Sequence, residues 1–166
     1  MNLEKMLDSI IDLLVNFVKR SNKEIAMKNT KEILNDGFAS AHYDASCNAV
    51  IFIWKKPSTS EAFRLIFSEI LKAIKGLKVT ALISDIHRQG IVGIENRIWL
   101  QNEILPKAYR DGLRRIAVIA PKDVFSSFYV ESVKNVAVKN SFNLKFKYLK
   151  DIDSARAWIM NEEVTV

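Results

Sequence analysis

The chain has 166 residues, of which 49% are hydrophobic and 27% charged, with 5 glycines and 3 prolines. Such proportions exclude a disordered or low-complexity chain and fit one domain able to bury a core without disulfides or metals. Lys+Arg number 25 against 19 Asp+Glu, a net charge of +6, so a nucleic-acid or membrane-surface partner has to be weighed against where the charges fall.

The first expected element is a helix over Leu3–Arg20. Leu3, Leu7, Ile10, Leu14 and Phe17 step by four and three, which sets them on one stripe, and Met6, Ile11 and Val18 widen it. Asp8 and Asp12 interrupt the apolar run, so it reads neither as a secretory signal nor as a membrane span. A membrane-surface helix carries Lys or Arg along its polar face, whereas this one carries acids there and bases near its ends. Packing or self-association, as a homodimer through Leu3, Leu7, Ile10, Leu14 and Phe17, is therefore the expectation, and membrane binding is disfavoured. Residues 21–36 are polar and close on Asn35, Asp36 and Gly37, so they read as a linker, with Met27 as an alternative start. The expected organisation is a helix and linker over 1–36 and an α/β domain over 37–166.

A hairpin follows, Phe38–Asp44 and Asn48–Lys55, turning at Ala45, Ser46 and Cys47. The unbroken run Val50–Trp54 suits a strand covered on both faces. Ser58 and Glu61 have the spacing of a capping box for a helix carrying Phe63, Ile66, Phe67, Ile70, Leu71 and Ile74, with Gly76 placed as its stop. Val79–Ser84 is a short apolar strand ending at Asp85. After the polar loop 86–93, residues 94–111 read as a helix carrying Ile94, Ile98, Trp99 and Leu105. Pro106 should force a kink or restart, because it lacks an amide donor. Arg115–Ala120 is a buried strand closed by Pro121, and Asp123 is a credible cap for a helix with Phe125, Phe128, Val133, Val136 and Ala137. Leu144–Leu149 alternates like a half-exposed edge strand, and Asp151 or Asp153 caps a last helix with Ala155, Trp158 and Ile159. Strands alternating with helices imply parallel pairing through crossovers, so the expected fold is α/β, a mixed, mostly parallel sheet of about five strands.

This order resembles the STAS fold, the domain of anti-sigma-factor antagonists, in its SpoIIAA-like branch. The resemblance covers roughly residues 38–160. It rests on Val50–Trp54, on Val79–Ser84 with Asp85, on Trp99 with Pro106 and Gly112, on Arg115–Ala120, and on the closing Asp151, Ala155, Trp158 and Ile159. It implies a small regulatory or binding module without intrinsic catalysis. Phosphorylated members carry a serine shortly after an aspartate similar to Asp85. Here residues 86–93 hold no hydroxyl, so that switch does not carry over. Some branches bind apolar or lipid-like ligands.

Independently of that resemblance, ligands of open α/β sheets sit beyond the carboxyl ends of the strands. Two such ends supply the candidate ligand or partner site: Asp85, His87, Arg88 and Gln89, with Trp99 behind them, and Lys122, Asp123 and Ser126. Arg88 and Lys122 could hold an anion beside a helix start. Asp85 and His87 could form an acid/base pair of a small enzyme, but no nucleophile stands at a recognisable spacing, and a capping Asp85 with a solvated His87 is the plainer reading. His42 reads as a packed or edge-strand histidine. Cys47, the single cysteine, lies in a turn with no flanking base; it permits no internal disulfide and points to a reducing, cytoplasmic location. No metal-ligand spacing or phosphate-binding glycine loop occurs, so no metal or cofactor is expected. Trp54, Trp99 and Trp158 sit among apolar neighbours and read as core. Residues 1–56 carry 8 basic and 7 acidic side chains, so nearly all the excess lies later, densest at Lys134, Lys139, Lys145, Lys147 and Lys150. Nucleic-acid binding over Lys134–Lys150 is the third reading. A lysine-protected edge strand explains the same cluster with less.

Overall fold

The computed structural model describes residues 2–120, 134–135 and 138–161. Two compact units share the chain, residues 1–30 and residues 31–166. The first is a single helix, α1, Leu3–Lys28, two turns longer than the stripe alone predicts. Its apolar side chains stand exposed along the length, from Leu3 through Leu7, Ile10, Leu14 and Phe17 to Ile25.

The second unit is an α/β domain whose six strands lie in sequence order: β1 Thr30–Asn35, β2 Ala39–Asp44, β3 Ala49–Trp54, β4 Ala81–Asp85, β5 Arg115–Ile119 and β6 Lys145–Leu149. The linker expected over 21–36 is thus replaced by the end of α1 and a sixth strand. Polar Lys31, Glu32 and Asn35 are tolerated because β1 is an edge, and only Ile33 and Leu34 turn toward the core. The three residues after β1 form a tight hairpin connection, in which Asp36 Oδ1 accepts from the amides of Phe38 at 2.7 Å and Ala39 at 2.8 Å. Strands β2 and β3 pair antiparallel, and β3 to β6 are parallel.

Helix α2 spans Ser60–Leu77. Its cap is Thr59, whose hydroxyl accepts from the Ala62 amide at 3.2 Å, one residue later than the capping box predicts. That start puts Phe63, Ile66, Phe67, Ile70 and Ile74 inward and leaves Ser58 outside the helix. The helix runs past Gly76 and stops at Lys78, which takes the left-handed conformation (φ 53°, ψ 45°) that a glycine would adopt more cheaply. The segment read as one helix over 94–111 is three pieces: α3 Ile94–Trp99, a π-turn over Leu100–Ile104, and α4 Leu105–Arg110. The restart falls immediately before Pro106, as its missing amide demands. The stripe is also rotated from the expected one. Ile94 and Ile98 are exposed, while Asn96, Leu100, Ile104, Leu105 and Ala108 are buried. The last helix, α5, is Ile152–Asn161, with Asp151 Oδ1 accepting from the Ser154 amide at 2.7 Å.

Right-handed crossovers between neighbours that always step the same way must fall on one face of the sheet. Helix α2 and the α3–α4 segment accordingly share the larger core with Val50, Phe52, Trp54, Leu82, Ile116 and Val118. The alternate residues Ala49, Ile51, Ala81, Ile83, Ala117 and Ile119 face the other way and pack with Ala155, Trp158 and Ile159 of α5. Trp54 stacks on Phe63 at 5.7 Å within the larger core. The helix expected after Asp123 lies outside the described residues, apart from helical residues at 134–135 and 138–139.

Candidate functional site

Parallel pairing aligns Asp85 with Ile53 on one side and Ile119 on the other, so the carboxyl ends of the three central strands share one level. The chain beyond Asp85 turns at once. Asp85 Oδ1 accepts from the His87 amide at 3.0 Å and lies 2.7 Å from His87 Nδ1, and the Gln89 amide donates to Ile86 O at 3.1 Å. Gly90 follows with φ 71°. A β-carbon there would lie 2.8 Å from Pro57 Cγ, so the loop is clamped against the segment leading into α2.

Asp85 thus caps the turn, as the plainer reading has it, and the Asp85–His87 side-chain contact weighed as an acid/base pair is also present, but on a side chain open to solvent. The His87 side chain is 43% exposed and lines neither of the two cavities nearby. Arg88 is exposed as well. Trp99 packs edge-on to Phe63 at 6.5 Å, with the Arg64 guanidinium 5.4 Å over its ring, and it too lines neither cavity. Lys122, Asp123 and Ser126 lie outside the described residues.

Gln89 is the nominated residue that turns inward, with 7% of its surface exposed. It stands in the wall of two spaces. One is an apolar cavity of about 70 Å³ between the sheet and the helices, lined by Phe67 and Ile70 of α2, Leu82 of β4, Val118 of β5, Phe146 of β6, and Leu100 and Ile104 of the π-turn. Ser84 and Gln89 supply its polar atoms. The other is a groove of about 420 Å³ walled by Ser58, Ser60, Phe63, residues 91–95 and Asn96. Asn96, 8% exposed, is held by two donors: Ser60 Oγ and Arg64 Nε each lie 3.0 Å from its Oδ1. Because a guanidinium can only donate, the atom facing Arg64 must be the oxygen, which leaves the amide nitrogen for the groove side.

Neither the cavity nor Asn96 was visible in the sequence. An asparagine two residues from Ile94 looks like surface. Only the π-turn, which rotates the helix, turns it inward.

A second polar cluster lies at the opposite end of β3. Buried Asp44 accepts from the Ser46 amide and from Arg156 Nε, both at 2.9 Å, joining the β2–β3 turn to α5. Burial pushes the Asp44 carboxyl up, but its hydrogen bonds to Ser46 and the Arg156 guanidinium outweigh that and hold it below the ordinary value. Burial, reinforced by the Asp44 charge, raises the buried Cys47 thiol, which makes it a poor nucleophile. Burial also lowers His42.

Among the lysines of the basic stretch, Lys145, Lys147 and Lys150 are exposed. The Lys147 ammonium lies 5.9 Å over the Trp158 ring and that of Lys134 5.5 Å over Tyr148. Phe146 and Tyr148 turn toward the larger core. Among the described residues no three His, Cys, Asp or Glu side chains cluster as metal ligands, and no helix is long and apolar enough to cross a membrane. Comparison with known proteins finds no family model, curated protein or solved structure that matches this chain.

Proposed function

We propose that the chain is a non-catalytic binding module of the STAS-like kind, taking a small apolar ligand in the cavity between the sheet and the α2–α4 helices. The cavity carries this reading. Its wall is apolar except at Ser84 and Gln89, and a dry apolar void binds small hydrocarbons rather than water. The Asp85–His87 alternative has less support, since His87 is exposed and Cys47 is buried with a raised thiol. Ser84 is buried within β4, which argues against its serving as a phosphorylated switch.

Titration with xenon, a single atom small enough for a cavity of about 70 Å³, tests the reading. Binding should raise the melting temperature and move the amide resonances of Leu82, Leu100 and Ile104. Ile104→Trp, which fills the space, should abolish both effects. Xenon that moves no cavity resonance would remove the proposal.

A second reading concerns α1 and is favoured by the exposure of its whole apolar stripe. The partner we infer is α1 of a second copy, running antiparallel. Asp8 and Asp12 lie in its first half and Lys19, Arg20 and Lys23 in its second, so reversal sets unlike charges and unlike helix ends side by side. Removing residues 1–28 should then lower the sedimenting mass, and an unchanged mass would exclude this assembly.

A further inference from the structure

The amino ends of the parallel strands share one level, since Ala81 of β4 pairs with Ala49 and with Arg115, and Arg115 with Lys145 of β6. Three connections arrive there in succession: residues 75–80 from α2, residues 109–115 from α4, and residues 138–145 before β6. Backbone bonds tie them together, the Arg114 amide donating to Thr80 O at 2.8 Å and the Lys145 amide to Arg114 O at 2.9 Å. These connections hold seven cations against one acid, Asp111, an excess of six that equals the net charge of the whole chain. All the cations are exposed except Arg115, whose guanidinium donates to Ile159 O at 2.7 Å. Asp44, in the β2–β3 turn at the same end, is paired with Arg156. The lysine run of 134–150 is thereby divided. Lys139 and Lys145 join this end, Lys147 lies over Trp158, and Lys150 follows β6 at the opposite end.

An aromatic stack stands among these cations. Tyr109 and Phe142 lie ring on ring at 4.4 Å and 16°, and the Arg114 guanidinium sits 4.3 Å over the Tyr109 ring while donating to Tyr109 O at 2.6 Å. The Asn143 amide donates to the Tyr109 hydroxyl at 3.2 Å, which joins the second connection to the third. The Tyr109 ring is thus held between Arg114 and Phe142, and the half-buried Phe142 ends the stack. From this we infer that the amino end of the sheet binds single-stranded nucleic acid, independently of the cavity: its cations take successive phosphates and Phe142 stacks on a base. Bases at helix C-termini also answer the helix dipole, which accounts for Lys75 and Arg110 but not for Arg114 and Lys145 beside the strand starts. An anionic membrane fits this end less well. The aliphatic side chains Leu77, Val79, Leu113 and Leu144 turn into the core, and only Val138 is exposed.

Fluorescence anisotropy of the full chain with a labelled single-stranded oligonucleotide of about twelve nucleotides provides the test. Binding should weaken with salt at a log–log slope of about −3, as about four phosphate contacts at ~0.7 each require. Lys75→Gln with Lys78→Gln should reduce that slope by about 1.4 and lower the affinity about tenfold at low salt. Phe142→Ala should weaken binding about tenfold and leave the slope unchanged, because a stacked base releases no counterion, and Phe142→Trp should restore it. Lys147→Gln with Lys150→Gln should leave the slope as it is and the affinity within about twofold. An oligonucleotide that shows no salt-dependent binding, whether or not phosphatidylserine vesicles bind, would overturn the proposal. So would an equal loss from the two lysine pairs, or a Phe142→Ala chain that binds like the wild type.

Discussion

Gly90 joins backbone conformation to the candidate site more directly than any other residue. Its φ of 71° disfavours an L side chain, and the nearest obstacle is the ring of Pro57 rather than a flexible side-chain end. Gly90→Ala should cost about 1–3 kcal/mol in denaturant unfolding and should displace Gln89, its neighbour, with loss of ligand binding. Asp44 and His42 set the acid response at the other end of the sheet. The His42 imidazole is held below its ordinary 6.5, so the unfolded chain takes the proton first and stability falls as pH drops below that value. The Asp44 carboxyl is held below its ordinary 3.8, so its contribution is complete above that value and is lost as pH falls through the depressed one. Melting temperature should therefore decline in two steps on acidification. His42→Gln should remove the upper step. Asp44→Asn should shrink the lower one, to which the depressed carboxyls of Glu103 and Asp151 also contribute, while costing about 1–2 kcal/mol at neutral pH, because Arg156 loses its buried charged partner and keeps only the exposed Asp153.

At the scale of elements, the sequence and the structure agree wherever a period is strong. Val50–Trp54, the α2 stripe, Arg115–Ala120 and the alternating 144–149 segment all lie within a residue or two of the observed elements. They disagree where one residue type serves two purposes. Lys31, Glu32 and Asn35 are polar because β1 is an edge, and polarity in a short segment reads as linker. Ile94 and Ile98 have helical spacing, yet the π-turn before Pro106 redirects the face toward Asn96 and Leu100. The same redirection explains how legible the site was. Asp85, His87 and Gln89 follow from the strand-end rule alone, because the loop is contiguous in sequence. The cavity wall draws on α2, β4, β5, β6 and the π-turn, and no local pattern announces it. The boundary of β1 gives a direct check. Truncation of residues 1–28 should leave the domain's unfolding free energy within about 0.5 kcal/mol of the full chain's. Truncation of residues 1–36 strips the edge strand from β2, and should lower the midpoint and promote aggregation through the bared edge. Equal stability of the two truncations would mean that β1 adds nothing to the sheet.

At the scale of the whole molecule, the consecutive strand order brings α2 and the α3–α4 segment to one face, and α5 packs on the other. A domain built this way places its thickest hydrophobic layer, and its cavity, beneath α2 and the π-turn. The α1 stripe is a separate problem, since a 26-residue helix with exposed apolar side chains from Leu3 to Ile25 needs a partner in water. The polarity of that partner is testable through charge. In an antiparallel pair, Asp8 and Asp12 face the basic half of the other helix, so Asp8→Lys with Asp12→Lys turns attraction into repulsion. In a parallel pair the same exchange replaces one like-charged contact by another and changes little. The double variant should therefore raise the dimer dissociation constant about tenfold by sedimentation equilibrium, from several surface pairs each of modest strength. Adding Lys19→Glu, Arg20→Glu and Lys23→Glu to the same chain restores complementarity and should restore the dimer. High salt should shrink both differences. A dimer indifferent to the first exchange would rule out antiparallel pairing, and a wild-type chain that stays monomeric would rule out α1 self-association altogether.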